Sequence, residues 1–262
     1  MPITADFSPA EGVVLYHGLA STCSKKVRIA LMEKGVSFTS RLLDLQKFEQ
    51  VDPRYLAIHP GGVVPALVLN GTPVIESSVI IEFIEDQFPD GVALTPHGPL
   101  AKARMRVMTH YADTFAYKAV YILTWMRLSA PAAQRLSAGD LATMLAKVPT
   151  TERRERWATV AATGFTEAEI KKSAEDMRET LSQIDKWASH GGDWLLPEQY
   201  SLADLALIPF VQRIFNLAPE LRAEGAGYPS LSAWYDRMQE RPAVKRALFF
   251  DEDPRAKELP NV

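Results

Sequence analysis

The sequence predicts an α/β unit followed by an all-helical unit, on the strength of three observations. Apolar residues change period about every ten residues up to residue 88, a stretch rich in proline and glycine follows, and only helical periodicity comes after it. A chain of 262 residues is long enough for two packed domains. Its 47% hydrophobic and 23% charged residues are typical of globular proteins.

The first part of the chain reads as strand, helix, strand, hairpin and helix. The first helix carries Ala30 and Leu31 on its apolar face and can end at Gly35, because glycine suits a helix C-terminus. Asn70-Gly71 tolerates positive φ and closes a tight hairpin. The predicted strands cover residues 13–16, 38–43, 66–69 and 73–75, and a helix covers 78–88.

The second part shows helical periodicity alone. Predicted helices cover residues 101–127, 166–189, 202–215 and 231–241. We therefore predict an N-terminal domain over 10–89, a linker over 90–100, a helical domain over 101–250 and a tail over 251–262. The segment 129–165 is long and irregular, and such segments are often lids or binding loops, so we expect substrate specificity to lie there.

Composition argues against several classes of function. A net charge of -3 indicates no nucleic-acid partner. The sequence has no apolar stretch of the roughly 18 residues that a membrane helix needs and no signal-peptide pattern, so we expect a cytoplasmic protein without a membrane partner. Cys23 is the only cysteine, which excludes an internal disulfide. The five histidines show no ligand-like spacing, so we expect no metal.

Ser21-Thr22-Cys23-Ser24 lies between the first strand and the first helix. Hydroxyl groups there can cap free backbone amides, and the helix dipole favours an anion, so the position suits a thiolate. The simpler interpretation is a set of helix-capping residues. Cys23 can itself be a nucleophile, but a small buried cysteine explains it equally well.

Two further segments have a chemistry of their own. A cis bond at Val64-Pro65 would present the Val64 backbone to a ligand, whereas an ordinary trans proline at a strand start is the commoner alternative. Glu76-Ser77 stands at the start of the next helix, where a hydroxyl and free amides can bind a carboxylate and Glu76 can accept an ammonium. Alone, this pair is a plain helix cap.

These three segments, in this order, resemble the thioredoxin-like domain of glutathione transferases. Ser201-Leu202-Ala203-Asp204 resembles the capping box of the family's helical domain, and we expect a structural role for Asp204. The resemblance spans nearly the whole chain. It implies a thioredoxin-like glutathione-binding domain, an all-helical substrate-binding domain, glutathione as co-substrate and a homodimer.

Two groups within the family resemble different stretches of the chain. The serine run resembles the zeta class, which implies Ser21 as the residue that activates the glutathione sulfur. Lys47-Phe48-Glu49-Gln50, residues 104–107 and residues 148–165 resemble bacterial β-etherases of lignin breakdown, which implies Ser24 instead. The run 59–63 departs from the family, since the usual Asn-Pro and the glutamine before Val-Pro are missing.

The resemblance also implies the residues that bind the two substrates. Glutathione is expected to contact Cys23, Lys47, Val63, Val64, Pro65, Glu76 and Ser77. Lys47 is alternatively a solvated surface charge. The aromatic substrate is expected to contact Tyr111, Phe115, Trp125 and Trp157. Aromatic residues at helical spacing, which here include Tyr117 and Tyr121, are alternatively core, and the charged run 153–156 is expected to be a solvated helix face.

The expected reaction is a nucleophilic substitution. The glutathione thiolate, stabilised by Ser21 or Ser24, would attack a carbon of a β-aryl ether and displace a phenol, because an apolar aromatic cleft suits an aromatic ether. One alternative is a zeta-like maleylacetoacetate or maleylpyruvate isomerase, for which Arg28 is the matching cation. Another is a protein that binds glutathione or aromatic ligands without turnover.

Overall fold

The computed structural model describes residues 5–8, 10–222 and 227–260, so residues 261 and 262 of the predicted tail lie outside the described residues. Its sheet has four strands in the order β2-β1-β3-β4. β1 is parallel to β2 and antiparallel to β3, and β3 pairs antiparallel with β4. The strands are β1 (Val13–His17), β2 (Thr39–Leu42), β3 (Ala66–Leu69) and β4 (Thr72–Ile75).

Three helices belong to this sheet: α1 (Thr22–Glu33), α2 (Pro53–Leu56) and α3 (Ser77–Gln87). Ser21 caps α1, and Gly35 adopts a φ of +66° just beyond its end, as the sequence predicts. Asn70 and Gly71 have φ of +49° and +84°, the left-handed conformation that a tight hairpin requires. The thioredoxin-like unit therefore follows from local signals.

The helical part begins with one continuous helical stretch over residues 99–134. Two π-helical segments, Ala112–Ala116 and Trp125–Ser129, interrupt its α-helical turns. The helices of this part are α4 (Pro99–Tyr111), α5 (Tyr117–Thr124), α6 (Ala130–Gln134), α7 (Ala138–Lys147), α8 (Thr151–Ala162), α9 (Glu167–Ala188), α10 (Leu202–Leu217), α11 (Pro229–Glu240) and α12 (Pro242–Phe249).

The segment 129–165 differs from the irregular stretch that the sequence predicts, because α7 and α8 occupy most of it. α8 carries mainly charged and small residues, and only Trp157 and Val160 of it are buried, so its apolar periodicity is weak. Helix α12 was also not predicted. Helix α12 packs against α1, and its buried residues Val244, Ala247 and Leu248 lie on one face.

The hydrophobic cluster that contains the sheet and α10 joins the sheet to the helical part. It runs from Leu15 in β1 through Ile29 in α1 to Leu207 in α10, all fully buried. Helix α10 is capped by Ser201 and Asp204, as predicted, and the Asp204 carboxylate also accepts hydrogen bonds from Leu195 N (2.9 Å) and Trp234 Nε1 (2.8 Å). This confirms a structural role for Asp204.

Across the described ranges, the helices are all too short or too polar to cross a membrane.

Candidate active site

A cleft of about 910 Å³ lies between the sheet domain and the helical part. One wall, here called the α1 wall, comprises residues 19–23, the loop residues 43–46 and the turn 62–64. The opposite wall, here called the helical wall, comprises cleft-lining residues from 117 to 129 and from α8. Gln50, Thr150, Arg213 of α10 and the tail residues Leu259 and Pro260 also line the cleft.

Ser21 lies on the α1 wall at the N-terminus of α1. Its backbone is extended, with φ −68° and ψ 121°, and its Oγ accepts a hydrogen bond from Ser24 N at 3.2 Å. Because the oxygen accepts, the hydroxyl hydrogen stays available for a group in the cleft. The positive end of the α1 dipole lies at the same place. The position therefore suits an anion such as a thiolate.

Ser24, the other candidate, does not line the cleft. Its side chain is fully buried, and its Oγ accepts a hydrogen bond from Gly18 N at 3.2 Å. That bond holds the turn between β1 and α1, because it satisfies a buried backbone amide. Of the two serines, Ser21 is therefore the one that a ligand in the cleft can meet directly.

Cys23 lines the cleft beside Ser21. Burial raises the pKa of its thiol, and the Lys26 ammonium and a hydrogen bond with Ser77 oppose this effect only in part. Lys26 is itself engaged, since its Nζ donates to Ser78 Oγ at 2.8 Å and to Asp113 Oδ1 at 2.7 Å. A neutral thiol is a poor nucleophile, so this geometry favours Cys23 as a wall residue.

The turn before β3 contributes Val63 and Val64 to the cleft, and Pro65 is buried behind them. The Val64–Pro65 bond is cis. Tyr55 donates its hydroxyl hydrogen to Val63 O at 2.6 Å. The turn is thereby fixed against the sheet domain, with the Val64 backbone at the cleft surface.

Glu76, Ser77 and Lys47 are not among the residues that line the cleft. Glu76 is exposed and has a φ of +69°, an uncommon conformation for a residue with a side chain. Backbone strain of this kind clusters at ligand-binding sites. Ser77 is buried at the start of α3. Lys47 pairs with Asp44 at 3.4 Å and is 39% exposed.

The loop that departs from the family pattern is held from the opposite side of the cleft. Arg153 Nη1, on α8, donates to the backbone carbonyls of Gly61 and Gly62, the latter at 3.2 Å. Arg153 also lines the cleft, so the run 153–156 is not simply a solvated helix face, contrary to the sequence-based expectation. Gln50 lines the cleft nearby, and its buried Oε1 has no donor among the described residues.

The helical wall carries a continuous row of aromatic rings. Ring centroids lie 5.9 Å apart for Tyr117 and Tyr121, 4.9 Å for Tyr121 and Trp125, and 4.4 Å for Trp125 and Trp157. All four residues line the cleft. The structure thus brings the predicted residues Trp125 and Trp157 together, and it adds Tyr117 and Tyr121 to them.

Tyr111 and Phe115, which the sequence analysis assigned to the substrate, do not line the cleft. Tyr111 packs edge-on against Trp187, with centroids 5.0 Å apart, and Phe115 stacks on Tyr111 and is 60% exposed. The π-helical segment Ala112–Ala116, which includes Phe115, separates Tyr111 from Tyr117 and shifts the helix phase. These two rings therefore point to a different side of the helix.

Two arginines have roles that the sequence did not indicate. Arg28, proposed above as the cation of an isomerase, is fully buried, and its nitrogens donate to Gly18 O, Leu19 O and Ala247 O. Arg213 instead borders the cleft and donates to Ala20 O. The available signal was an arginine in the otherwise apolar stretch of α10.

Comparisons with known proteins match both parts of the chain. Residues 20–87 match the family model described as glutathione S-transferase, N-terminal domain, and residues 139–242 match glutathione S-transferase, C-terminal domain. Protein LigF of Sphingobium sp. (strain NBRC 103272 / SYK-6) is 32% identical over 233 residues, covering 85% of this chain and 87% of that protein.

Two further comparisons extend over nearly the full length. Glutathione S-transferase Z2 of Arabidopsis thaliana is 28% identical over 249 residues, covering 95% of both proteins. The crystal structure of beta-etherase LigF from Sphingobium sp. strain SYK-6 has a TM-score of 0.80 and 30% identity, and covers 92% of this chain and 99% of that chain.

Proposed function

Since this chain belongs to the glutathione S-transferase family, we propose that it uses glutathione to cleave the β-aryl ether bond of lignin-derived aromatic compounds. The observation that carries the proposal is a single cleft with Ser21 on one wall and four aromatic rings on the other. Such a cleft suits an anionic sulfur next to a flat aromatic substrate. Similarity to the beta-etherase LigF supports the same choice of substrate.

In this proposal Ser21 donates its hydroxyl hydrogen to the glutathione sulfur. Lowering a thiol pKa from about 8.5 to about 7 requires roughly 2 kcal/mol of preferential stabilisation of the thiolate. A hydrogen bond to a charged group contributes about 1.5–3 kcal/mol, and a helix N-terminus adds about 0.3–1 kcal/mol. The two contributions at Ser21 are therefore sufficient without a further base.

The substitution balances without any other reactant. The thiol proton leaves to solvent, the sulfur electron pair forms a bond to the β-carbon, and the carbon–oxygen bond breaks. Its electron pair leaves with the aryl oxygen, and the phenolate takes a proton from water. The products are a glutathione thioether and a phenol. Holding both reactants in one cleft supplies proximity and desolvation.

Several groups on the α1 wall and in neighbouring segments fit glutathione itself. We assign the backbone of Val64, which lies between Val63 and Pro65, to hydrogen bonds with the backbone of the tripeptide. Glu76 is assigned to the ammonium end of the tripeptide, and Ser77 with the N-terminus of α3 is assigned to a carboxylate. Lys47 is assigned to the glycine carboxylate. This chain lacks the glutamine that the family usually has before Val-Pro. Gln50, with its unpartnered Oε1, can instead accept a hydrogen bond from an amide of the tripeptide.

The test is an assay of phenol release from a β-aryl ether dimer with and without glutathione. We expect release only with glutathione, and we expect Ser21→Ala to reduce kcat about 100- to 1,000-fold, the usual cost of one donor to a developing or stabilised anion. Ser24→Ala is the matched control, because it removes a buried hydroxyl of the same turn; it should lower stability and keep most of kcat. Equal phenol release without glutathione contradicts the proposal.

A second candidate function has support from one feature of the cleft. Lys118, Arg153 and Arg213 line it, and a dicarboxylate such as maleylpyruvate would suit such cations. Glutathione-dependent isomerisation of maleylacetoacetate or maleylpyruvate, without phenol release from any aryl ether, would select this function. Calorimetric binding of glutathione without turnover of either substrate class would select a non-catalytic binder.

We also propose that the protein is a homodimer. Val79 on α3 and Leu100, Val107 and Phe115 on the 99–134 stretch are large apolar residues that are between 56% and 65% exposed. An apolar patch of this kind is typical of a contact surface, and two-fold dimers are the commonest assembly. A monomeric mass in solution would contradict this assignment.

A further inference from the structure

Arg213 is a buried cation whose donors are only partly used. Its side chain borders the cleft, is 1% exposed, and donates through Nη2 to Ala20 O. Its Nε and Nη1 have no acceptor in the part of the chain that the structure describes. No carboxylate among those residues lies within ion-pair distance of it. Two donors and one positive charge therefore remain for a ligand.

Keeping such a group buried is costly for the fold. A charge removed from water without a partner destabilises a protein by several kcal/mol. Burial, together with the neighbouring Arg127, lowers the pKa of Arg213 to about 10, so the side chain still carries its charge at neutral pH. An anion that enters the cleft and pairs with Arg213 would offset part of this destabilisation. Arg213 is therefore suited to bind a group that carries a negative charge only at one step of the reaction, or only in one kind of ligand.

The other cations of the cleft are already engaged or remain in water. Arg153 donates to Gly61 O and Gly62 O, and Arg156 pairs with Glu169 at 2.9 Å. Lys118 is exposed, so solvent screens its charge. Arg213 is the buried member of the set, and it contacts the residue directly before Ser21.

We propose that Arg213 is a catalytic residue that stabilises the phenolate oxygen leaving the β-carbon. This inference rests on the proposed function. The attacking sulfur and the leaving oxygen share one carbon in the transition state, so the oxygen departs within a few ångströms of the sulfur at Ser21. The bond to carbon breaks with its electron pair on oxygen, and two N–H groups of one guanidinium can receive that charge.

The experiment varies the leaving group. A series of β-aryl ethers with one carbon skeleton and phenols of graded pKa is cleaved in single-turnover assays with saturating glutathione. For each protein, the logarithm of the cleavage rate is plotted against the pKa of the phenol. The proteins are the wild type, Arg213→Gln, Arg213→Lys and the control Arg178→Gln, whose parent side chain is exposed and donates to Ala174 O outside the cleft.

We expect Arg213→Gln to make the slope more negative, because poor leaving groups depend most on the guanidinium. The loss should be about 100- to 1,000-fold for the phenol of highest pKa and small for the most acidic phenol. Arg213→Lys should give an intermediate slope, since it keeps the charge and loses the fork geometry. Arg178→Gln should leave the slope unchanged. If Arg213→Gln does not fold, the test is whether the slope for Arg213→Lys is more negative than the wild-type slope.

Two results would overturn the inference, and they differ from a failure of the proposed function. An equal loss for every phenol, with the wild-type slope retained, would mean that Arg213 only holds the Ala20 carbonyl. A loss of dicarboxylate isomerisation in Arg213→Gln would make it a carboxylate ligand. Failure of the proposed function is recognised in the wild type itself, which would then release no phenol from any member of the series.

Discussion

The two walls of the cleft are built on different principles. Around Ser21, the α1 wall is a short turn held by hydrogen bonds between near neighbours, such as Ser24 to Gly18 and Ser21 to the α1 backbone. The helical wall consists of rings from separate helices, joined by the contact of Trp125 with Trp157. Chemistry at the sulfur can therefore stay constant while the rings opposite change with the substrate.

The largest effect we expect comes from breaking the helical wall at Trp157. This ring is 4% exposed and packs between Phe48 and Trp125, with centroids 5.1 Å and 4.4 Å away. Trp157→Ala should lower the free energy of unfolding by about 3–5 kcal/mol, because it leaves a cavity in this small cluster. Chemical denaturation measures the change.

The matched control for Trp157 is Phe115→Ala. Phe115 is an aromatic residue of the same helical part, but it is 60% exposed and outside the cleft. Its removal from a monomeric sample should change the free energy of unfolding by about 0.5 kcal/mol or less. Comparable losses at both positions would mean that ring burial does not distinguish the cleft wall from the surface.

A smaller effect should come from the link between the two walls. Arg153→Ala removes the donor that α8 offers to the carbonyls of Gly61 and Gly62. A hydrogen bond to a charged group contributes about 1.5–3 kcal/mol, so the affinity for glutathione should fall about tenfold or more as the turn loosens. Isothermal calorimetry measures this affinity.

Arg154→Ala is the neighbouring control for that measurement. Arg154 donates to Val148 O and Thr151 Oγ1, both close to it in the chain, and it does not line the cleft. Its removal should leave glutathione affinity unchanged. If the two variants lose affinity equally, the cause is the charge of α8 rather than the clamp on the turn.

The α1 wall could be predicted from the sequence because its signals are local. A hydroxyl residue before a helix specifies the backbone within a few residues, whereas the cis bond at Val64-Pro65 was one of two alternatives that the sequence allowed. What local signals left open was the choice between Ser21 and Ser24. Both can cap a helix, and only the three-dimensional path of the turn buries one and exposes the other.

The helical wall could not be predicted to the same degree, because it depends on helix phase and on distant packing. Tyr111 and Tyr117 lie on one helical stretch, but the π-helical segment between them changes which face each ring occupies. Helix α8 has few apolar residues to show its period. The direction of Arg213 depends on how α10 meets α1, which no short motif encodes.

The smallest effect that we expect near neutral pH is a pH dependence of the free energy of unfolding, caused by His17 beside the α1 wall. His17 ends β1, directly before the turn that leads into α1, and it is fully buried. Its Nδ1 faces Arg28 Nη1 at 3.1 Å. Its Nε2 bonds with Ser40 Oγ, which in turn donates to Asp253. Burial and the charge of Arg28 hold the His17 pKa well below its usual value of 6.5.

The sign of this dependence follows from which state takes the proton. Below about pH 6.5 the unfolded chain protonates His17 and the folded protein does not, so the free energy of unfolding should fall by up to about 1.4 kcal/mol per pH unit. Above that pH His17 is neutral in both states, so the stability that is lost in acid is fully present. His17→Gln should remove this part of the slope in denaturation curves, whereas replacing the exposed His97 by glutamine should retain it. An identical slope in the wild type and His17→Gln would contradict the prediction, because the acid sensitivity would then arise elsewhere than in the α1 wall.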